Sequence, residues 1–453
     1  MDMNNEQCYY LAVDLGATSG RTILGWEHDG AIEMKELTRF DNPIIEATGH
    51  FYWDIYALYH EIIKALQLTA RQHITLSSIG IDTWGCDFVC LGHDGQLLRN
   101  PFSYRDPHTA TVMETYFEKA LPKETVYEKT GVQFMPFNSL FQLYAMRQDG
   151  NSALAQADKI LFMPDALIYM LTGKVICEYT VASTSQILNP HTHDLDEDLL
   201  RTVGLTRSHF GPMTMPGTVV GTLTDEVQRI TGQTAIPVVA VAGHDTASAV
   251  ATVPADPAGL VFLSSGTWSL MGIVTPQPII NERSYELNFT NEGGLNGTTR
   301  FLKNLCGMWI YERCREEWGK PSHDELIGGA SECPPSPHTF NPDDACFANP
   351  PSMTQAISDY FNRQGLPMPE TRAALVRCIF DSLAQRYKQV YEWLKELSPY
   401  PVDGIYIIGG GSRNQLLNRL TAEACGCTVS CGYSEATAYG NLTVQIASRK
   451  NNK

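Results

Sequence analysis

Two segments of this 453-residue chain place glycine and hydroxyl side chains directly after an apolar run. The first, Asp14-Leu15-Gly16-Ala17-Thr18-Ser19-Gly20-Arg21, follows the run that begins at Tyr9. The second, Ser264-Ser265-Gly266-Thr267-Trp268-Ser269, follows Leu260-Val261-Phe262-Leu263 and leads into Leu270 to Val274. Small residues let backbone amides approach an anion, and hydroxyls add donors. Each segment alone reads either as a phosphate loop or as a glycine-rich turn. Their recurrence in the two halves of the chain suits a polyphosphate clamped from both sides. Asp14, at the end of its strand, is placed to hold a magnesium ion through water.

Three further segments carry candidate chemistry. Gly409-Gly410-Gly411-Ser412 lies between a strand-like run, Gly404 to Ile408, and a helical one, Asn414 to Cys425. Ligands of α/β sheets bind at such strand-to-helix junctions, and absent side chains leave room for a nucleotide ring or ribose. The same glycines could make only a tight turn, and the pattern GxxxxGK[ST] does not occur in the chain. Gly243-His244-Asp245-Thr246-Ala247 ends an apolar run, where Asp245 serves as a proton acceptor for a sugar hydroxyl attacking a γ-phosphoryl group, as a helix N-cap, or as both. In Asp82-Thr83-Trp84-Gly85-Cys86-Asp87, Trp84 offers an apolar face and Asp82 and Asp87 offer acceptors, which suits a sugar pocket or a tryptophan buried in a turn.

The elements that must position these residues are readable as periodicities. Tyr9 to Asp14, Thr22 to Trp26 and Ile32 to Phe40 form a three-stranded meander. Tyr56 to Leu68 has helical spacing and precedes the strand Ser78 to Asp82, which implies a parallel addition to the sheet. The middle, from about Pro107 to Gly211, is expected to form an insertion that walls a cleft, with His191 to Asp198 a solvated loop. A second strand-rich core starts at Ile236, and the boundary is expected near Pro254 to Gly259. Ala373 to Leu397 predicts a long buried helix.

Composition narrows the function. At this length two domains are expected, 1–251 and 252–453. A net charge of −17 without a lysine or arginine cluster argues against nucleic acid and anionic membrane as partners. The polar start, Met1 to Gln7, lacks the features of a secretory signal, and no apolar stretch is long enough to span a bilayer, so a cytoplasmic location is expected. The twelve cysteines sit mostly in apolar runs and read as reduced core residues. Cys425, Cys427 and Cys431 lack the spacing of a zinc site.

The order of these motifs resembles the FGGY carbohydrate kinases of the actin-like ATPase superfamily, over nearly the whole chain. The resemblance rests on Gly80-Ile81-Asp82-Thr83-Trp84-Gly85, Gly131-Val132-Gln133-Phe134, His244 to Val250 and Ser264 to Leu270. It implies an α/β protein of two actin-like (ribonuclease H-like) domains with a catalytic cleft between them, using ATP and Mg2+. It also implies phosphorylation of a small ketose, L-rhamnulose at C1, with L-fuculose, xylulose and glycerol as alternative acceptors. Asp245 would be the base; Gly85, Asp87, His244, Thr246 and Asn304 would contact sugar; Ala17, Thr18, Ser19, Gly20, Arg21, Thr267, Glu312 and Gly410 would contact ATP; Asp14 would hold the metal. Glu312 stands where such kinases tend to carry glutamine. The chain also stops soon after Gly440-Asn441, where a further C-terminal segment is expected. Rival readings are a partner-coupled ATPase and an inactive sugar sensor on the same fold, and the oligomeric state stays open.

Overall fold

A computed structural model of the protein describes residues 7–254 and 259–451. Residues 1–6 of the N-terminal segment and 255–258 of the expected boundary lie outside the described residues. The chain forms two compact units. The first comprises Met1–Thr252, Thr275–Phe301 and Thr437–Lys453; the second comprises Val253–Val274 and Leu302–Ala436. The division is therefore not one cut in sequence, because two later segments pack with the first unit.

The first unit is built on six strands in the spatial order Thr218–Thr222, Pro237–Ala240, Leu76–Thr83, Tyr9–Leu15, Ser19–His28 and Ala31–Asp41. The last three form the expected antiparallel meander, and Leu76–Thr83 runs parallel to Tyr9–Leu15 on one side and to Pro237–Ala240 on the other. Tyr9–Leu15 is central and almost wholly buried, which is why it reads as a continuous apolar run rather than an alternating one. The helix Ile55–Arg71 starts where the Asp54 carboxylate caps the Ala57 amide at 3.0 Å, and its Leu58, Ile62, Ala65 and Leu66 stripe joins the core against the sheet.

A second core of the first unit is formed largely by the middle of the chain, with Tyr116, Tyr127, Phe141, Ile187 and Leu199 buried together. Within it His191 to Asp198 is not simply a solvated loop. Leu188–Asn189 pairs with Asp194–Leu195, and Asp196 caps the helix Glu197–Thr202. The C-terminal helix Ala436–Asn451 seats Ala438, Leu442 and Ile446 on Tyr10, Ala12 and Ile23.

The second unit repeats the same plan. Leu260–Ser265 and Trp268–Thr275 form an antiparallel hairpin, Gly404–Ile408 adds to Leu260–Ser265 in parallel, and Thr428–Cys431 adds in parallel to Gly404–Ile408. Arg372–Leu397 is a 26-residue helix that buries Leu375, Ile379, Leu383, Val390 and Leu394, as the spacing predicts. Hairpin, then parallel strands, twice over, is the actin-like (ribonuclease H-like) α/β architecture. None of the twelve cysteines forms a disulfide, and no helix among the described residues is long and apolar enough to cross a membrane.

Candidate active site

The sheet of the first unit brings three carboxylates to neighbouring strand ends. In the parallel pair Tyr9–Leu15 and Leu76–Thr83, Asp14 lies opposite Asp82, and Thr83 bridges to His244, the residue before Asp245. The bridge is held by the Thr83 amide donating to the Gly243 carbonyl at 2.9 Å. Asp14 accepts two bonds from Arg21, at 2.6 and 2.9 Å, because the hairpin register sets the two residues opposite each other. The turn between them is tight: the Gly16 amide donates to Ser19 O at 2.9 Å, and Asn42 Nδ2 donates to Gly16 O at 3.0 Å. A Cβ at Gly20 would sit 2.4 Å from the Phe40 ring, so the loop needs glycine there.

Asp82 is fully buried. Its Oδ2 accepts from Asn441 Nδ2 at 2.6 Å, while no described residue hydrogen-bonds Oδ1. Burial, then the neighbouring Asp14 and Asp245 charges, push its carboxyl well above the ordinary carboxylate range, against the Asn441 bond and the Arg21 charge. Asp245 opens the helix Asp245–Val250, with His244 rather than Asp245 at the N-cap position. Its side chain is 31% exposed. Oδ1 accepts from the Thr246 amide at 2.5 Å and the Thr246 hydroxyl at 3.1 Å, and His244 Nε2 lies 3.4 Å away. Desolvation raises its pKa and the Asp14 charge adds to that, while His244 and the Thr246 bonds oppose the rise.

His244 Nδ1 faces a buried ion pair, 3.2 Å from Arg300 Nη2 and 3.3 Å from Glu292 Oε2. Behind the loop, Glu178 Oε2 accepts from the Gly243 amide at 3.0 Å and the Thr180 hydroxyl at 2.7 Å. None of Arg300, Glu292 or Glu178 stands out locally in the sequence; Arg300 shares the strand Thr299–Cys306 with a second cation, Lys303, so its charge gives no signal there.

Gly85 packs against Thr184, whose hydroxyl would lie 2.7 Å from an added Cβ and accepts from the Cys86 amide at 2.9 Å. Asp87 departs from expectation. It is 0% exposed, and its carboxylate accepts from Trp53 Nε1 at 2.6 Å, Trp84 Nε1 at 2.9 Å, the Tyr104 amide at 3.0 Å and Gln142 Nε2 at 2.8 Å. A carboxylate so occupied fixes the two indoles instead of presenting acceptors to a sugar. Burial lifts its pKa to about 6 despite those four donors.

In the second unit, the loop at Thr267 is locked against the triple glycine. Gly409 has φ +82°, and an added Cβ there would lie 3.0 Å from Ser265 O; at Gly411 it would lie 2.0 Å from Ser265 Oγ. Gly307 closes the other side, since its added Cβ would lie 2.6 Å from Gly266 O. Ser269 and Tyr387 share a buried hydroxyl bond at 2.7 Å. Gly410 itself has open space where a side chain would be. Asn304 lies on the strand Thr299–Cys306 beside Lys303, whose pKa burial and then Arg386 lower to about 8. Glu312, on the helix Trp309–Glu317, accepts from Arg315 Nε at 2.9 Å.

The donor set fits Mg2+, a hard cation usually held by one or two carboxylates together with phosphate oxygens and water rather than by a protein cage. Asp14 offers such an oxygen at its strand end, whereas Asp82 is fully buried on Asn441; no group of three or more metal-binding side chains occurs among the described residues.

Two glycine- and hydroxyl-rich loops on duplicated actin-like units, with a carboxylate cluster at the strand ends, fit a sugar kinase of the actin-like class. The family models agree: the N-terminal domain of the FGGY family of carbohydrate kinases matches residues 9–251, and its C-terminal domain matches 261–448. The chain belongs to this family. It is 58% identical over 436 residues to a rhamnulokinase of Bacteroides thetaiotaomicron, covering 96% of this chain and 90% of that one. A rhamnulokinase of Pectobacterium carotovorum is 42% identical over 438 residues, covering 96% and 87%. Among solved structures, a gluconate kinase from Lactobacillus acidophilus superposes with TM-score 0.82 at 16% identity, covering 99% and 90%, and a Plasmodium falciparum glycerol kinase with ADP with TM-score 0.80 at 15% identity, covering 98% and 90%. These two establish the fold.

Proposed function

We propose that the chain transfers the γ-phosphoryl group of ATP to the C1 hydroxyl of L-rhamnulose, giving L-rhamnulose 1-phosphate and ADP. The observation that carries this reading is the asymmetry of Asp245: the Thr246 donors and His244 gather on Oδ1, and no described residue hydrogen-bonds Oδ2. Oδ2 is the atom that takes the C1 hydroxyl proton as that oxygen attacks the γ-phosphorus and the bond to the β,γ-bridging oxygen breaks, releasing ADP. The extent of likeness to rhamnulokinases supports the choice of sugar.

In this reading Gly85, His244, Thr246 and Asn304 orient the sugar, and Asp87 acts through the two indoles it holds. Ala17, Thr18, Ser19, Gly20 and Arg21 receive phosphate oxygens on one loop and Thr267 on the other, with Gly410 against the adenosine and Glu312 near it. Asp14 holds Mg2+ through water. The cation, when bound, neutralises phosphate charge. The enzyme would act in the cytoplasm, where ATP is supplied.

Phosphorus NMR of the reaction mixture tests the proposal. A sugar 1-phosphate monoester should appear in step with ADP when L-rhamnulose and MgATP are supplied together. ADP with inorganic phosphate and no ester would contradict it.

A further inference from the structure

We infer that Arg300, held in a buried ion pair with Glu292, is a positioning residue that fixes the tautomer of His244, so that its Nε2–H faces the carboxylate of Asp245. The inference rests on the reading of Asp245 as the base. Arg300 is 1% exposed, and Glu292 is also buried. Burying an ion pair costs desolvation, and an apolar pair of similar volume often packs as well or better, so these charges are better explained by a role beyond packing.

The hydrogen-bond directions determine the tautomer. Arg300 Nε donates to the Gly293 carbonyl at 2.9 Å, which sets the plane of the guanidinium. In that plane Nη2 lies 3.1 Å from Glu292 Oε2 and 3.2 Å from His244 Nδ1. A guanidinium has donors only, so Nδ1 must accept and the imidazole proton sits on Nε2. Nε2 is 3.4 Å from Asp245 Oδ1. The imidazole is also held through its backbone, whose amide donates to the Thr180 hydroxyl at 3.2 Å.

The alternative tautomer is available to the same ring. Glu292 Oε2 lies 3.3 Å from Nδ1 and would accept a proton there if Arg300 did not intervene. Nε2 would then turn a lone pair on Asp245 Oδ1. The carboxylate would lose the third group gathered on Oδ1, and the preference that leaves Oδ2 for the substrate proton would weaken. Arg300 therefore acts on catalysis through His244, without touching the substrate.

The experiment is long-range proton–nitrogen correlation NMR on protein labelled with 15N-histidine, the His244 signals assigned with His244→Asn. Wild type should show Nδ1 bare and Nε2 protonated, and Nδ1–H in wild type overturns the inference. In Arg300→Met the proton should move to Nδ1, and kcat should fall about 10-fold or more while KM for the sugar stays within about threefold. Arg300→Lys, which restores a donor, should recover the Nε2–H signature and part of kcat. A folded Arg300→Met protein with wild-type Tm, a switched tautomer and wild-type kcat also overturns it. Should Arg300→Met not fold, the wild-type spectrum and Arg300→Lys decide. Failure of the base assignment is separable, because it would appear as retained turnover in Asp245→Asn with the wild-type tautomer unchanged.

Discussion

The side-chain amide of Asn441 donates to the buried carboxylate of Asp82 across 2.6 Å, joining residues 359 apart in sequence. The bond is the last link of a chain whose direction starts at the backbone. Gln445 Nε2 donates to the Leu11 carbonyl at 3.1 Å and to Asn441 Oδ1 at 2.7 Å, and the Ser78 hydroxyl donates to Gln445 Oε1 at 2.7 Å. With the Leu11 carbonyl as acceptor, neither amide can flip. Gly80 makes room for this chain, since an added Cβ there would lie 2.6 Å from Asn441 Oδ1 and 2.8 Å from Gln445 Nε2.

Asn441→Leu should therefore leave Asp82 with one donor fewer in a site that water does not reach. Unfolding in denaturant should show a loss of about 1–3 kcal/mol, the cost of stranding a buried polar group. Unchanged stability would mean that Asp82 finds another donor or does not need one.

Asp245→Asn should lower kcat by about 10²- to 10⁴-fold, the usual contribution of a general base, with the dissociation constants of sugar and nucleotide little changed. Calorimetric titration of both ligands alongside steady-state rates checks this. A near-normal rate removes Asp245 from the proton transfer.

The loop at Thr267, proposed to receive phosphate oxygens of ATP, should respond differently. Thr267→Ala should raise KM for ATP while leaving the sugar KM nearly unchanged. Gly411→Ala, which drives a Cβ to 2.0 Å from Ser265 Oγ, should displace the same loop and weaken nucleotide binding further. Nucleotide titrations that match wild type in both variants would detach this loop from the ATP site.

Asp87 gives a pH signature. Its pKa is raised from 3.8 to about 6 by burial, so the folded state binds the proton more tightly than the unfolded chain. Stability from this group is present below the unfolded value and is lost as pH rises through the folded one, by roughly 2–4 kcal/mol at about 1.4 kcal/mol per unit. Between pH 4 and 6, wild type should lose stability relative to Asp87→Asn. Parallel stability–pH curves would contradict the assignment.

The positions of Asp14 and Asp245 are legible in the sequence because each follows an apolar run, and strand ends are where parallel sheets place polar groups; Asp82, expected with Asp87 as a sugar acceptor, is instead fully buried on Asn441. The meander and the helices Ile55–Arg71 and Arg372–Leu397 followed from periodicity for the same local reason. What escaped depends on contacts remote in sequence. Asn441 and Gln445 lie four apart on a helix whose neighbours Ala438 and Leu442 are apolar, and only the fold shows that their partners are on Leu76–Thr83 and Tyr9–Leu15. The segment around Asp87 mixes an aromatic residue with carboxylates and so suits a sugar acceptor; that Trp53 claims its carboxylate depends on a contact across 34 residues that no local pattern carries.

The most direct test of the sugar-kinase account is ADP release with MgATP across L-rhamnulose, L-fuculose, L-xylulose, D-xylulose and glycerol, with a no-sugar control. The account requires sugar-dependent release with the highest kcat/KM for L-rhamnulose; preference for another acceptor would move the specificity alone, and release that ignores sugar would contradict the account.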